Sequence, residues 1–240
     1  MAFQAIEKGS RLSHMAFQGF ANADAKFFKA LAKNQSREWF LSHKAEFDDG
    51  YLAPMKELLS EVNTGIDSGY KHADLGEPKV FRIFRDVRFS KDKAPYKTHI
   101  GGLIPVKISG NLMEVPIALY FHVGQPNSFA AAGHYMMSTQ QLVKYRAAVV
   151  DPKRGRELDK LLSALAKQGF TAQSHGTYQR VPKGYDPEHE RVEHLKRKGL
   201  TVNFPPLPKG ILASKKLVPW LVGNAKAAAP LVEWLVFATL

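Results

Sequence analysis

The sequence of 240 residues contains no cysteine. Disulfide bonds, thiolate metal sites, iron–sulfur clusters and a cysteine nucleophile are therefore excluded. The chain also lacks an apolar run near the ~18 residues that a membrane-spanning helix needs, since its most apolar stretch, residues 231–240, is short and contains Glu233. These absences predict a soluble, cytoplasmic protein that does not bind a membrane.

Several catalytic and metal-binding motifs are absent as well. No serine has the Gly-x-Ser-x-Gly context of a nucleophile elbow, and Gly101-Gly102 lacks the spacing of a phosphate-binding loop. His189 and His194 are five positions apart, which would turn them roughly 140° from each other on a helix, whereas a zinc pair needs one face. We therefore predict no metal and no cofactor, and the catalytic residues, if any, stay unknown.

The charge balance is strongly positive. There are 34 Lys and Arg residues against 22 Asp and Glu, a formal net charge of +12. A positive surface favours anionic partners such as phosphates, nucleotides or nucleic acid, but it does not specify a fold. At 45% hydrophobic content the chain can bury a full core.

The first residues repeat a later tetrapeptide. Met-Ala-Phe-Gln occurs at residues 1–4 and again at residues 15–18, and the segment between has no helical or strand periodicity. We interpret residues 1–14 as a disordered leader or tag, and residues 15–240 as one α+β domain.

Helical patterns dominate both ends of the chain. Ser36 can cap a helix that ends at Gly50, and apolar residues at 55, 58, 59 and 62 follow the helical template. Later, Ser138 begins a capping-box sequence and Asp151-Pro152 begins another helix. Two C-terminal helices, separated at Pro230, are predicted to complete the chain.

The middle of the chain has a period of two. Extended runs at 100–108, 112–123 and 128–135 are joined by short turns at 109–111 and 124–127, which predicts an antiparallel meander. Further strand-like pieces at 177–181 and 200–204 flank a short helix that follows Asp186-Pro187. Helices followed by strands and helices indicate an α+β fold, with an antiparallel sheet packed against N-terminal and C-terminal helices.

Residues 79–99, which we call the basic segment, are the strongest functional signal. Seven of these 21 residues are basic and two are acidic, so the local charge is +5. As a strand, the segment would place Arg82, Asp86 and Arg88 on one face with Phe84. Guanidinium groups match phosphate and carboxylate oxygens, and an Arg–Asp network that only orders the loop is the alternative.

We predict that the basic segment forms a pocket for a phosphorylated or other anionic ligand. Arg82, Arg88 and Lys93 would supply charge, and Arg85 with Asp86 would order the pocket. Lys183, in a rigid Pro182-to-Pro187 turn, would be presented toward a partner. The candidate ligand-binding residues are Arg82, Arg85, Asp86, Arg88, Lys93, Tyr96, Lys97, His99 and Lys183, with Tyr96, Lys97 and His99 at the mouth.

Two other functions fit the same residues. The basic surface could bind nucleic acid weakly and without sequence preference, with Phe84 and Tyr96 as stacking groups. Alternatively, the chain could be a hydrolase or phosphoryl-transfer enzyme that uses Asp86 or His99 as a base. His122 shares a strand face with Tyr120, and we interpret it as a structural histidine.

The basic segment also resembles the domain of unknown function 2461, a family of uncharacterised bacterial proteins. The resemblance covers most of residues 20–235. It implies a single α+β domain and no established activity. The residues that carry it are Asn34, Glu38-Trp39-Phe40, Arg82, Arg85-Asp86, Arg88-Phe89, Asp92-Lys93, Tyr96-Lys97, Tyr145-Arg146 and Pro182-Lys183-Gly184-Tyr185.

Overall fold

The computed structural model of the chain describes residues 16–21, 25–107 and 117–240. The predicted leader at 1–14 and the predicted turn at 109–111 lie outside the described residues.

Eight α-helices occur in the described part of the chain. They are α1 (Lys26–Lys33), α2 (Arg37–Ser42), α3 (Lys44–Phe47), α4 (Ala53–Ile66), α5 (Thr139–Val150), α6 (Pro152–Lys167), α7 (Val192–Lys196) and α8 (Leu217–Thr239). Short 3₁₀ turns lie at Asp67–Gly69 and Ile211–Ala213, and a π-helical turn at Asp48–Leu52 joins α3 to α4.

Seven described strands form one antiparallel sheet. They are β1 (Asp74–Leu75), β2 (Lys79–Val80), β3 (His99–Lys107), β4 (Ile117–Gly124), β5 (Phe129–His134), β6 (Thr171–Gln173) and β7 (Leu200–Asn203). The spatial order is β1-β3-β4-β5-β7-β6, and β2 also pairs with β3. The predicted meander is confirmed as β3-β4-β5, and with it the α+β class.

The sheet and the helices form two layers. On one face of the sheet, the side chains of Ile104, Leu119 and Phe121 are buried in the core, where α4 packs on β3 and α8 packs on β4 and β5. Period-two alternation then places the other side chains on the opposite side, which we call the outer face. It carries His99, Gly101, Leu103, Tyr120, His122, Phe129, Ala131, Thr201 and Asn203.

The predicted helix caps are present. The Ser36 hydroxyl accepts a hydrogen bond from the Trp39 backbone N–H, which satisfies a free donor of the first turn of α2. Ser138 and Gln141 form a reciprocal capping box at the start of α5. Gly169 has φ 87°, a left-handed conformation that suits the end of α6.

Three boundaries differ from the prediction. The helical segment does not end at Gly50, because this residue lies within the π-helical turn that continues directly into α4. Pro230 lies inside α8 and does not divide it, since buried neighbours on both sides, Ala229 and Leu231, hold the helix against the core. Residues 177–181 contribute only an isolated bridge, between Thr177 and Arg197.

Among the described helices, α8 alone is long and apolar enough to cross a membrane by length and composition. However, 56% of its most apolar 18-residue stretch is buried inside the fold. It contacts β4, β5, α4, α5 and α6. We therefore attribute its apolar composition to core packing.

Candidate functional site

The basic segment is a two-stranded ribbon that extends the β2–β3 pair. Phe81 N–H donates to the Gly101 carbonyl at 2.8 Å, and Lys97 N–H donates to the Ile83 carbonyl at 2.8 Å. Arg85 N–H donates to the Pro95 carbonyl at the same distance. The pairing ends there, so residues 86–94 form a tip that is not a strand, and the predicted alternation of faces does not extend through it.

Tyr96 anchors the ribbon to the helical layer. Its ring is 4% exposed and stacks on Phe40 of α2, with centroids 4.5 Å apart. The Tyr96 backbone N–H donates to Oε1 of Gln35 at 3.0 Å, and Phe84 packs against both rings. Tyr96 is thus part of the core, which differs from the expected position at the mouth of a pocket.

At the tip, Asp86 and Arg88 form a bidentate ion pair. Nε and Nη2 of Arg88 donate to the two carboxylate oxygens of Asp86 at 3.0 and 2.7 Å. The Arg88 backbone N–H also donates to this carboxylate. Hydrogen bonding from Arg88, followed by the charge of Arg82, holds the pKa of Asp86 below its usual range. A carboxylate so stabilised in its charged form is a weak general base.

Arg85 and Lys93 are also engaged within the tip. Nη1 of Arg85 donates to Asp92 at 2.5 Å. The Ala94 backbone N–H, and then Arg85, lower the pKa of Asp92. Nζ of Lys93 donates to the Val87 carbonyl at 3.0 Å. These contacts order the tip. They match the alternative in which an Arg–Asp network, including Arg85 and Asp86, only orders the loop.

Lys97 connects the ribbon to the outer face of the sheet. Its Nζ donates to the Arg82 carbonyl at 2.9 Å and lies 5.6 Å from the centroid of the Phe81 ring. Partial burial, and then the charge of Arg82, lowers the pKa of Lys97. The Arg82 side chain is exposed beside it. Lys97 therefore places positive charge at the rim of the outer face, and Arg82, whose charge acts on Lys97, lies at the edge of the ribbon beside it.

Five aromatic side chains meet on the outer face next to this rim. His122 stacks on His99, with ring centroids 4.1 Å apart, and on Phe129, at 4.8 Å. The Tyr120 hydroxyl is hydrogen-bonded to Nδ1 of His122 at 3.0 Å. Phe81 lies 6.2 Å from Tyr120. We call Phe81, His99, Tyr120, His122 and Phe129 the ring cluster.

Strand register assembles the ring cluster. Gly101 is opposite His122, and His122 is opposite Phe129, so all three lie on the outer face. A Cβ on Gly101 would lie 2.5 Å from the Tyr120 hydroxyl. Glycine at this position therefore lets the tyrosine ring lie flat over the strand.

The ring cluster is neutral near pH 7. Burial, and then the neighbouring His99, lowers the pKa of His122 to about 4. Burial, and then Lys97, lowers the pKa of His99. Burial, with a smaller contribution from Tyr135, raises the pKa of Tyr120 to about 12. The site thus combines uncharged rings with a cationic rim.

Lys183 lies elsewhere. It belongs to the exposed turn between β6 and α7, and β6 is the outermost strand at the far side of the sheet from β1 and β2. Four strand spacings separate β6 from β3, about 19 Å at ~4.8 Å each. The structure therefore brings Arg82, Lys97 and His99 together and leaves Lys183 at the other edge.

The ring cluster was only partly visible in the sequence. The Tyr120-x-His122 alternation indicated a shared face, but His122 was interpreted as a lone structural histidine. His99 and Phe129 meet it only through the pairing of three strands, which the sequence does not specify. Within the described residues, no group of three His, Asp or Glu side chains is placed to hold a metal ion.

Comparison with known proteins shows the family of the chain. The model of the family DUF2461, described as a conserved hypothetical protein, matches residues 23–234. No curated protein and no solved structure matches the chain.

Proposed function

The chain belongs to DUF2461, whose description as a conserved hypothetical protein names no activity, and we propose its function from the geometry of the site. The protein binds a phosphate-bearing ligand that carries a planar ring, such as a nucleotide, on the outer face of the sheet. The observation that carries this proposal is the ring cluster, which is contiguous with the cations of the basic segment through Phe81 and Lys97.

The ring cluster offers faces on which a base can stack. Phe81 is 43% exposed and Phe129 is 36% exposed, and both contact Tyr120. Stacking of a base on an aromatic side chain is worth about 1–3 kcal/mol and tolerates any base. The Tyr120 hydroxyl is held by His122, so its orientation is fixed before a ligand arrives.

Arg82 and Lys97 are suited to the phosphate. Arg88, Arg85 and Lys93 are held by Asp86, Asp92 and a backbone carbonyl. The exposed Arg82 guanidinium offers a planar set of donors for an oxyanion. Thr201 and Asn203, half-buried on β7 of the same face, add hydrogen-bonding groups for the polar edge of a ring.

The test is calorimetric titration with nucleoside monophosphates, with the matching nucleosides and with inorganic phosphate. Nucleotides should bind more tightly than either part alone. Phe129→Ala should weaken nucleotide binding about tenfold, and Arg82→Ala should weaken nucleotides but not nucleosides. Phe237→Ala, which removes a similarly exposed ring on α8, is the control. Equal affinity in the Phe129 and Phe237 variants would contradict the proposal.

Single-stranded nucleic acid is the second candidate, because Phe81 and Phe129 of the ring cluster are partly exposed and Phe89, at the ribbon tip, is 96% exposed. A labelled oligonucleotide should then bind more tightly than a mononucleotide. Its affinity should fall with salt at a logarithmic slope near −0.7 per phosphate contact. A shallow slope and equal affinities would favour the mononucleotide.

Binding is better supported than catalysis. Asp86 is held in its charged form by Arg88, so it is poorly suited to accept a proton. His99 is neutral, but it is stacked on His122. A cytoplasmic location is part of the proposal, since a chain without cysteine suits a reducing compartment.

A further inference from the structure

A second group of polar side chains lies away from the outer face, around α5 and α7. Four of its atoms are buried and have no hydrogen-bond partner within the described residues. They are the Tyr145 hydroxyl, Nη2 of Arg146, Nδ1 of His194 and Nη1 of Arg197. Tyr145 is fully buried and Arg146 is 8% exposed. Buried polar atoms are normally paired, so four orphans in one region need an explanation.

These four groups lie close to one another. Nε of Arg146 donates to the Leu195 carbonyl at 3.0 Å, which joins α5 to α7. His194 lies on α7, and Arg197 follows directly after it. The charges of Arg197 and Arg146 both act on the Tyr145 hydroxyl and oppose the rise of its pKa on burial. Arg197 also acts on His194.

The nearby carboxylates are already occupied. Arg191, which is 6% exposed, pairs with Asp159 at 2.7 Å and with Glu190 at 2.5 Å. Glu193 pairs with Lys196 at 2.8 Å. Among the described residues, no carboxylate forms a salt bridge with Arg146 or Arg197, although Glu193 is close enough for the charge of Arg197 to lower the pKa of its carboxyl. Burial of a guanidinium nitrogen without a hydrogen-bond partner is costly, because the protein does not replace the hydrogen bonds that water would have made with it.

Tyr178 lies on the solvent-facing side of the group. The Tyr178 ring is 40% exposed, and it lies between the Arg146 guanidinium, 5.2 Å from the ring centroid, and Nζ of Lys198, 4.8 Å from it. A small anion could reach the buried donors past this ring, with Lys198 as an attracting charge at the entrance.

We propose that Tyr145, Arg146, His194 and Arg197 form a binding site for a small oxyanion such as phosphate. One oxyanion would accept hydrogen bonds from the two guanidinium groups and the hydroxyl, and it would neutralise charge that the fold otherwise leaves uncompensated. Tyr145 and Arg146 are among the residues that carry the family resemblance. In this proposal they bind the oxyanion, whereas they take no part in the proposed nucleotide site on the outer face. This site is independent of the ring cluster.

The test is titration of the full chain with inorganic phosphate, by calorimetry and by thermal shift, against chloride at the same ionic strength. Phosphate should bind and raise the melting temperature by mass action. Arg146→Lys keeps the charge but loses the planar donors, so it should weaken binding at least tenfold. Tyr145→Phe, which keeps the packing, should weaken it several-fold.

Arg154→Lys is the matched control, because Arg154 lies on α6 against Trp234 and outside the group. It should bind phosphate as the parent does. A parent that shows no phosphate-specific binding, or an Arg146→Lys variant that binds as well as the control, would overturn the proposal. So would a crystal structure grown in phosphate with only water at Nη2 of Arg146 and Nη1 of Arg197. Phe129→Ala should leave this binding unchanged, which separates the site from the proposed nucleotide site.

Discussion

His99 and His122 stack with their ring centroids 4.1 Å apart, although they are not opposite each other in the register of β3 and β4. His99 is opposite Gly124, and His122 is opposite Gly101. The two imidazoles are therefore diagonal neighbours across a pair of glycines that add no side chain. Protonation of either ring would place a charge in a partly buried stack beside Lys97. The folded protein therefore favours the neutral form of both imidazoles.

Stability should fall with acid through His122. Its pKa is about 4 in the folded protein and has its ordinary value near 6.5 in the unfolded chain. Between these values the unfolded chain binds more protons, so the free energy of unfolding decreases as pH falls from 6.5 toward 4. Urea unfolding at pH 7 and pH 4.5 should show a smaller loss in His122→Phe, which keeps the ring. An identical loss in parent and variant would contradict this.

Two aromatic residues of the basic segment should differ sharply in their effect on stability. Tyr96→Ala removes a ring that is 4% exposed and stacked on Phe40, and it should lower the free energy of unfolding by about 3–5 kcal/mol. Phe89→Ala removes a ring that is 96% exposed and should change it by less than about 0.5 kcal/mol. Chemical denaturation measures both. Comparable losses would mean that the ribbon is not anchored through Tyr96.

Alanine substitutions at the adjacent glycines of β3, Gly101 and Gly102, should have different effects on nucleotide binding and on the melting temperature. A Cβ on Gly101 meets the end of the Tyr120 side chain at 2.5 Å, on the outer face. Gly101→Ala should displace Tyr120 from His122 and reduce nucleotide binding with a modest effect on the melting temperature. A Cβ on Gly102 meets Leu59 at 2.4 Å and the Lys79 carbonyl at 3.0 Å, on the core face, so Gly102→Ala should chiefly lower the melting temperature. The reverse assignment of effects would refute the placement of the outer face.

The tip of the ribbon should depend on Asp92. Its carboxylate accepts hydrogen bonds from Arg85 and from the Ala94 backbone N–H. Asp92→Asn removes the charge that holds Arg85, so trypsin should cut more rapidly at the lysines and arginines of residues 85–93, while the melting temperature changes little. Asp74→Asn, at an exposed position on β1, should leave the cleavage rate unchanged. Parent-like cleavage of the Asp92 variant would show that this carboxylate does not order the tip.

Local signals predicted the parts of the fold that depend on neighbours in sequence. Ser36 and Ser138 cap their helices because the hydroxyl and the backbone N–H that it accepts from are three residues apart. The meander followed from alternation and short turns. The predicted break at Pro230 is wrong, because a helix that packs on several elements tolerates the loss of one backbone hydrogen bond. Packing of that kind cannot be seen in the sequence.

The candidate sites were harder to predict because they depend on long-range pairing. The sequence shows the charge of the basic segment but not its contacts, because the tip turns back and pairs Arg88 with Asp86 and Arg85 with Asp92. Only strand register brings His99 to His122. The orphaned donors around Tyr145 and Arg197 lie about 50 residues apart in the sequence, and only the packing of α7 on α5 brings them together.

The position of α8 in the chain has a consequence for biosynthesis. This helix covers the core face of β4 and β5, yet about 90 residues separate the end of β4 from its first residue. At about 5–20 residues per second, a ribosome needs several seconds or more to cross that interval. Throughout it, the parts of β4 and β5 that pack on α8 lack this helix as cover, while Phe121 of β4 already has Phe20 as a neighbour in the growing chain. The sheet therefore completes its packing only after α8 has been synthesised.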